Sequence, residues 1–166
     1  MDIFEFAMEK EKFSEEYYRD LANRVNHPGI RNILSMLADE EAKHYRTVER
    51  MRTETPEAVT DTPILQHARE IFEKMRASPR KFDFLINEAE LYRKACQIEE
   101  QSREFYQERA EETQDAGQKR VFRMLAQEEA KHLSLMESLL SFVTQPEYFL
   151  ENAEMYRFDD YAGGVL

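Results

Sequence analysis

The octapeptide Leu37-Ala38-Asp39-Glu40-Glu41-Ala42-Lys43-His44 returns 88 residues later as Leu125-Ala126-Gln127-Glu128-Glu129-Ala130-Lys131-His132. The same ungapped offset pairs Ala7 with Ala95, Glu11 with Glu99, Ser14 with Ser102, Glu16 with Glu104, Tyr18 with Tyr106, Ala22 with Ala110 and Gly29 with Gly117. Apolar residues in these stretches recur at three- and four-residue steps, so the repeated unit reads as a helical hairpin. A hairpin of amphipathic helices buries one face only, and two of them packed face to face make an all-α four-helix bundle. The period is too long, and the copies too few, for a solenoid.

In chain order, residues 1–26 form the first expected helix, with Ile3, Ala7, Ser14, Tyr18, Leu21 and Val25 on one stripe and Glu11 among them. His27-Pro28-Gly29 punctuates it. A second helix over 30–52 has the inner stripe Ile30, Ile33, Leu37, Glu41, His44, Val48 and Met51. A short helix over 64–76 follows, ended by Ser78-Pro79. The third long helix, 82–113, turns Leu91, Ala95, Glu99, Ser102, Tyr106 and Ala110 inward. The fourth, 118–143, does the same with Val121, Leu125, Glu129, His132, Met136, Leu139 and Val143. The expected organisation is one bundle over 1–145. Its hairpins, 1–52 and 82–143, are joined by a long crossover, 53–81, and a tail follows at 146–166. That tail carries Tyr148, Phe149, Tyr156, Phe158 and Tyr161, suited to a short helix laid on the bundle or on a neighbouring subunit.

Composition removes several function classes. The net charge of −11 argues against nucleic acid as a partner. Cys96 is the only cysteine, which excludes an internal disulfide framework and any multi-cysteine metal knuckle. No run approaches the 18 or so apolar residues of a membrane span, and the acidic start lacks the basic and apolar regions of a secretion signal. A cytoplasmic protein without nucleic-acid or membrane partners is the expectation.

The inward stripes carry four glutamates and two histidines: Glu11, Glu41, Glu99, Glu129, His44 and His132. Glu41 with His44, and Glu129 with His132, are Glu-x-x-His pairs that put a carboxylate and an imidazole on one helix face, one turn apart. One such pair alone is an ordinary solvated helix face. Two pairs are a different matter when each lies on an apolar stripe and each follows a stripe glutamate by 30 residues. Four carboxylates buried together repel one another and lose their hydration. Two divalent cations would neutralise them, with both imidazoles uncharged. Oxygen and imidazole ligands without thiolate suit iron, manganese or zinc. One Glu from each of two helices and Glu-x-x-His from each of the other two is the ligand pattern of di-iron and di-manganese carboxylate bundles.

Glu40 and Glu128 sit beside the stripe as flank or surface carboxylates. Tyr18 and Tyr106 are on the site's face; they either hydrogen-bond its carboxylates or are buried phenols satisfied elsewhere. Ser14 and Ser102 are small packing residues, Cys96 is a small buried hydrophobe, and His27 and His67 are exposed.

With these residues in place, the chain resembles the rubrerythrin-like branch of the ferritin-like superfamily. The likeness rests on Glu11-x-x-Ser14-x-x-x-Tyr18-x-x-Leu21-Ala22, on Glu41-x-x-His44 and on their second-half copies, and it covers Asp2 to Val143. The resemblance implies a ferritin-like fold with two iron ions: Glu11 and Glu99 as terminal ligands, Glu41 and Glu129 as bridges, and one iron each on His44 and His132. It also implies redox chemistry on hydrogen peroxide or dioxygen, an electron donor not named by the sequence, and often a homodimer. Two features depart from the family pattern. The four-cysteine rubredoxin module is absent, and the family's extra glutamate before the third-helix ligand is replaced by Cys96, matched by Met8 in the first half. The remaining six-ligand set is more like that of bacterioferritin. Three classes of function stay open at this point: a rubrerythrin-type oxidoreductase, an iron-binding or storage protein with ferroxidase activity, and an interaction bundle stabilised by metal.

Overall fold

The computed structural model describes residues 2–56, 63–78 and 82–152. Their helices are α1 (Ile3–Arg24), α2 (Pro28–Met51), α3 (Ile64–Ala77), α4 (Glu88–Glu112), α5 (Ala116–Thr144) and α6 (Pro146–Glu151). No helix among the described residues is long and apolar enough to cross a membrane.

Local chemistry sets most of the boundaries. The Asp2 carboxylate caps α1 by accepting from Glu5 N at 2.8 Å. His27 does the same for α2, its Nδ1 accepting from Gly29 N at 3.0 Å, and Pro28 supplies the first helical turn. The Pro-Gly pair expected to break the chain therefore opens α2, two residues earlier than expected. His27 is half-buried rather than exposed; His67 is exposed as expected. Asp115, the repeat equivalent of His27, caps α5 through Gln118 N at 3.0 Å. Gly29 and Gly117 follow two residues after these caps, where other chain segments press close. A Cβ would stand 2.9 Å from Ile71 Cγ2 at Gly29 and 2.6 Å from Thr55 Cγ2 at Gly117.

Helix α4 starts at Glu88, six residues later than the periodicity suggests. The preceding segment is held out of helix by aromatic packing: Phe82 and Phe84 each meet the Phe142 ring edge-on, at 5.0 and 5.5 Å. Glu88 then folds back, its Oε1 accepting from Leu85 N at 2.9 Å and its Oε2 from the Tyr92 hydroxyl at 2.6 Å. Tyr92 is fully buried, and Leu91, expected on the inner stripe, is only half-buried.

Hairpin α1–α2 packs on hairpin α4–α5 as expected from the repeat. Phe6 meets Phe105 at 5.4 Å near one end of the α1–α4 pair, and the Tyr17 hydroxyl donates to Leu91 O at 2.7 Å near the other, so these two helices run antiparallel. The apolar interior falls into two clusters. One contains Leu21, Ile33, Leu37, Phe72, Leu139 and Phe142; the other contains Ala7, Val48, Val121, Phe122 and Leu125. Along each long helix the glutamates and histidines of the inner stripe lie between residues of one cluster and residues of the other.

Helix α3 closes one end of the bundle, and α6 lies on it. Phe149 is fully buried, its ring 5.0 Å from Phe72 and 5.8 Å from Phe142. A six-residue helix is too short to stand alone. Phe149 and Leu150, both buried, anchor it, each burial contributing roughly 1.5–3 kcal/mol. The start of the tail thus packs on its own chain. Tyr156, Phe158 and Tyr161 lie outside the described residues, as do 57–62 and 79–81 of the crossover.

Candidate metal centre

All six stripe residues converge between the two apolar clusters, and none is more than 2% exposed. Glu11 comes from α1, Glu41 and His44 from α2, Glu99 from α4, and Glu129 and His132 from α5. Ligand atoms of Glu11, Glu41, His44 and Glu129 all lie within 4.8 Å of one another; so do those of Glu41, Glu99, Glu129 and His132. The two quartets share Glu41 and Glu129. Each half of the repeat thus contributes to both, and a pseudo-twofold relation runs through the site.

The contacts obey that relation. His132 Nδ1 lies 2.6 Å from Glu41 Oε1, and His44 Nδ1 lies 2.7 Å from Glu129 Oε1. The Tyr18 hydroxyl donates to Glu99 Oε1 at 2.6 Å, and the Tyr106 hydroxyl donates to Glu11 Oε1 at 2.5 Å. Of the two readings open for these tyrosines, bonding to the carboxylates is the one observed. The two imidazoles stack, centroids 5.4 Å apart at an interplanar angle of 11°.

The cluster remains short of partners. Glu11 Oε2, Glu41 Oε2, Glu99 Oε2, both Glu129 oxygens and His132 Nε2 have no hydrogen bond. The His44 Nδ1–Glu129 contact, though short, is not aligned as one. Buried polar atoms are nearly always satisfied. A set of carboxylate oxygens and imidazole nitrogens with unused lone pairs, aimed at common points, is the donor set a hard-to-borderline divalent cation takes. The residues present therefore fit a metal pair.

Protonation carries the same strain. Burial, followed by the charges of the neighbouring carboxylates, holds the carboxyls of Glu41 and Glu129 well above the ordinary range. Burial also works against ionisation of Glu11 and Glu99, but the adjacent His44 and His132 outweigh it and leave both below the ordinary value. Burial disfavours the charged imidazoles, and the surrounding carboxylates reverse this, raising His44 and, further, His132. Without a cation, the cluster keeps protons that metal would replace.

Glu40 and Glu128 correct the expectation from sequence. They are not surface carboxylates: each is 5% exposed. Glu40 Oε1 stands 3.9 Å from His132 Nε2, too far for a hydrogen bond, and Glu128 groups with His44 and His132 within 4.8 Å. Lys43 and Lys131 cover them at 3.5 and 3.6 Å. The buried face at the site is wider than one stripe, so neighbouring glutamates both turn in. A signal is present: both copies of the octapeptide keep this Glu, whereas Asp39 gives way to Gln127. Cys96 packs half-buried against the larger cluster, with burial pushing its thiol up to about 11, as a packing residue does.

No curated protein and no solved structure matches the chain. The family model for rubrerythrin matches residues 2–140. With that match across the whole bundle and a buried Glu/His cluster fit for metal, the chain belongs to the rubrerythrin family, whose membership implies metal binding, typically of iron.

Proposed function

We propose that the chain is a di-iron carboxylate oxidoreductase that reduces hydrogen peroxide or dioxygen. One observation carries the reading: two four-residue donor groups share Glu41 and Glu129, the arrangement a metal pair with two bridging carboxylates requires. In this reading Glu11 and His44 complete one position, Glu99 and His132 the other. When bound, the metal pair supplies the electrons for O–O cleavage.

The chain's own residues do the rest. Tyr18 and Tyr106 hold the terminal carboxylates Glu99 and Glu11 by one oxygen each and leave the other oxygen free. Glu40 and Glu128 lie beside the histidines at the flank of the site, where carboxylates orient imidazole ligands. The two apolar clusters exclude water from both ends.

The test is anaerobic loading with ferrous iron, then mixing with peroxide or with dioxygen while following the ferric absorbance. Rapid oxidation that stops at the loaded stoichiometry supports the oxidoreductase. Continued uptake to hundreds of irons per assembly would replace it with storage, and no absorbance change with either oxidant would remove redox function altogether.

A further inference from the structure

The two halves match at the ligand positions and at the tyrosines that hold the terminal glutamates, but the aromatic residue packed on each of those tyrosines differs. Tyr18 and Tyr106 correspond, both buried and both donating to a site carboxylate. The residue before each differs: Tyr17 in the first half, Phe105 in the second. Tyr17 is half-buried, its ring edge-on to Tyr18 with centroids 6.1 Å apart at 79°. Phe105 stands in the same relation to Tyr106, at 5.3 Å and 71°. Both geometries are ordinary aromatic contacts. Their chemistry is not equivalent, because a phenol gives up an electron together with its hydroxyl proton and a phenyl ring has no such proton.

We propose that Tyr18 and Tyr17 form a one-electron exit from the site, through which a small one-electron reductant such as ascorbate removes oxidising equivalents, and that Tyr106, backed by Phe105, is a dead end. This rests on the peroxide-reducing function proposed above. Once the metal electrons are spent, a further hydrogen peroxide needs two electrons and two protons to become two waters. Two phenols supply both: H2O2 plus two tyrosines gives two waters and two phenoxyl radicals, as the O–O bond and two O–H bonds break. The proton from Tyr18 leaves through Glu99, and that from Tyr106 through Glu11, along the hydrogen bonds already in place. Tyr17 then returns an electron to Tyr18. Its hydroxyl proton, which the resting protein holds on Leu91 O at 2.7 Å, passes from there to solvent and balances the one Tyr18 takes back through Glu99. Ascorbate restores Tyr17 by giving up an electron and a proton. In the second half Phe105 cannot take the corresponding step, so a Tyr106 radical stays buried.

The experiment uses full-length protein loaded with two irons per chain, with the variants Y17F and F105Y. Each exchanges one half's residue for the other's and is conservative in shape. Excess hydrogen peroxide is added, samples are freeze-quenched, and the phenoxyl signal is followed by electron paramagnetic resonance with and without ascorbate. In the wild type, half of the signal should be quenched rapidly by ascorbate and half should persist. In Y17F all of it should persist; in F105Y all of it should be quenched. Identical decay in the three proteins would overturn the inference, as would a signal that survives in a Y18F/Y106F double variant. Iron oxidation seen by absorbance with no phenoxyl signal would overturn it while leaving the proposed function intact. No iron oxidation at all would overturn both.

Discussion

Glu41 and Glu129 belong to both donor groups, whereas Glu11 and Glu99 belong to one each. That difference makes the assignment testable by substitution. Glu41→Ala or Glu129→Ala should take metal binding from two ions per chain to none at micromolar iron, because each removes a ligand from both positions. Glu11→Ala or Glu99→Ala should leave one ion. Metal analysis after dialysis reads both outcomes, and equal losses from the two kinds of variant would contradict the division into bridging and terminal ligands. Glu41→Gln should separate metal binding from folding. In the metal-free protein burial and neighbouring charge favour the neutral carboxyl, which an amide imitates. The amide also keeps an oxygen for the His132 Nδ1 that stands 2.6 Å from Glu41 Oε1, and it carries no charge for the neighbouring carboxylates to repel. The metal-free variant should therefore melt no lower than the metal-free wild type, while its metal content collapses.

At the level of the helix, the repeat extends to the way α2 and α5 begin. His27 and Asp115 stand at equivalent positions and cap equivalent helices with different chemistry. Asp115→Ala removes a side-chain acceptor at a helix N-terminus and should cost about 1 kcal/mol, or roughly 2–4 °C in Tm for a chain of this size. Iron stoichiometry should stay at two per chain, since the cap is remote from the site; a change in stoichiometry with the cap removed would contradict that separation. These starts also mark how far the sequence can be read. The four long helices and the six stripe residues follow from three- and four-residue periodicity, which burial of one helix face imposes directly. The start of α4 does not, because residues 82–87 are kept out of helix by Phe82 and Phe84 packing on Phe142, a contact between segments far apart in sequence. The role of His27 is hidden because a capping histidine and an exposed turn histidine look the same in a sequence. The burial of Glu40 and Glu128 is hidden because periodicity identifies the centre of a buried stripe and not its width.

The whole molecule balances a charged centre against two apolar ends, and pH should shift that balance differently with and without metal. Glu41 and Glu129 titrate above the ordinary carboxyl value of 4.5 in the folded chain, and His44 and His132 above the ordinary imidazole value of 6.5. Between these ordinary values and the raised ones the folded metal-free protein holds more protons than the unfolded chain, so its stability declines as pH rises across that span. Glu11 and Glu99, lowered in the folded chain, work the other way: their contribution is present above 4.5 and is lost as pH falls. Metal-free protein should thus be most stable in mildly acidic solution and lose Tm toward pH 8. Metal competes with the same protons, so the Tm gap between iron-loaded and metal-free protein should widen from pH 5.5 to 8. A gap independent of pH would mean that metal does not displace those protons.

The sharpest measurement is an anaerobic titration of the full chain with ferrous iron, read by bound metal and by Mössbauer spectroscopy after oxidation. Two donor groups joined by Glu41 and Glu129 require saturation at two irons per chain and a ferric pair coupled through shared ligands. Saturation at one iron, or two irons with the spectrum of isolated ions, would contradict a shared-carboxylate centre.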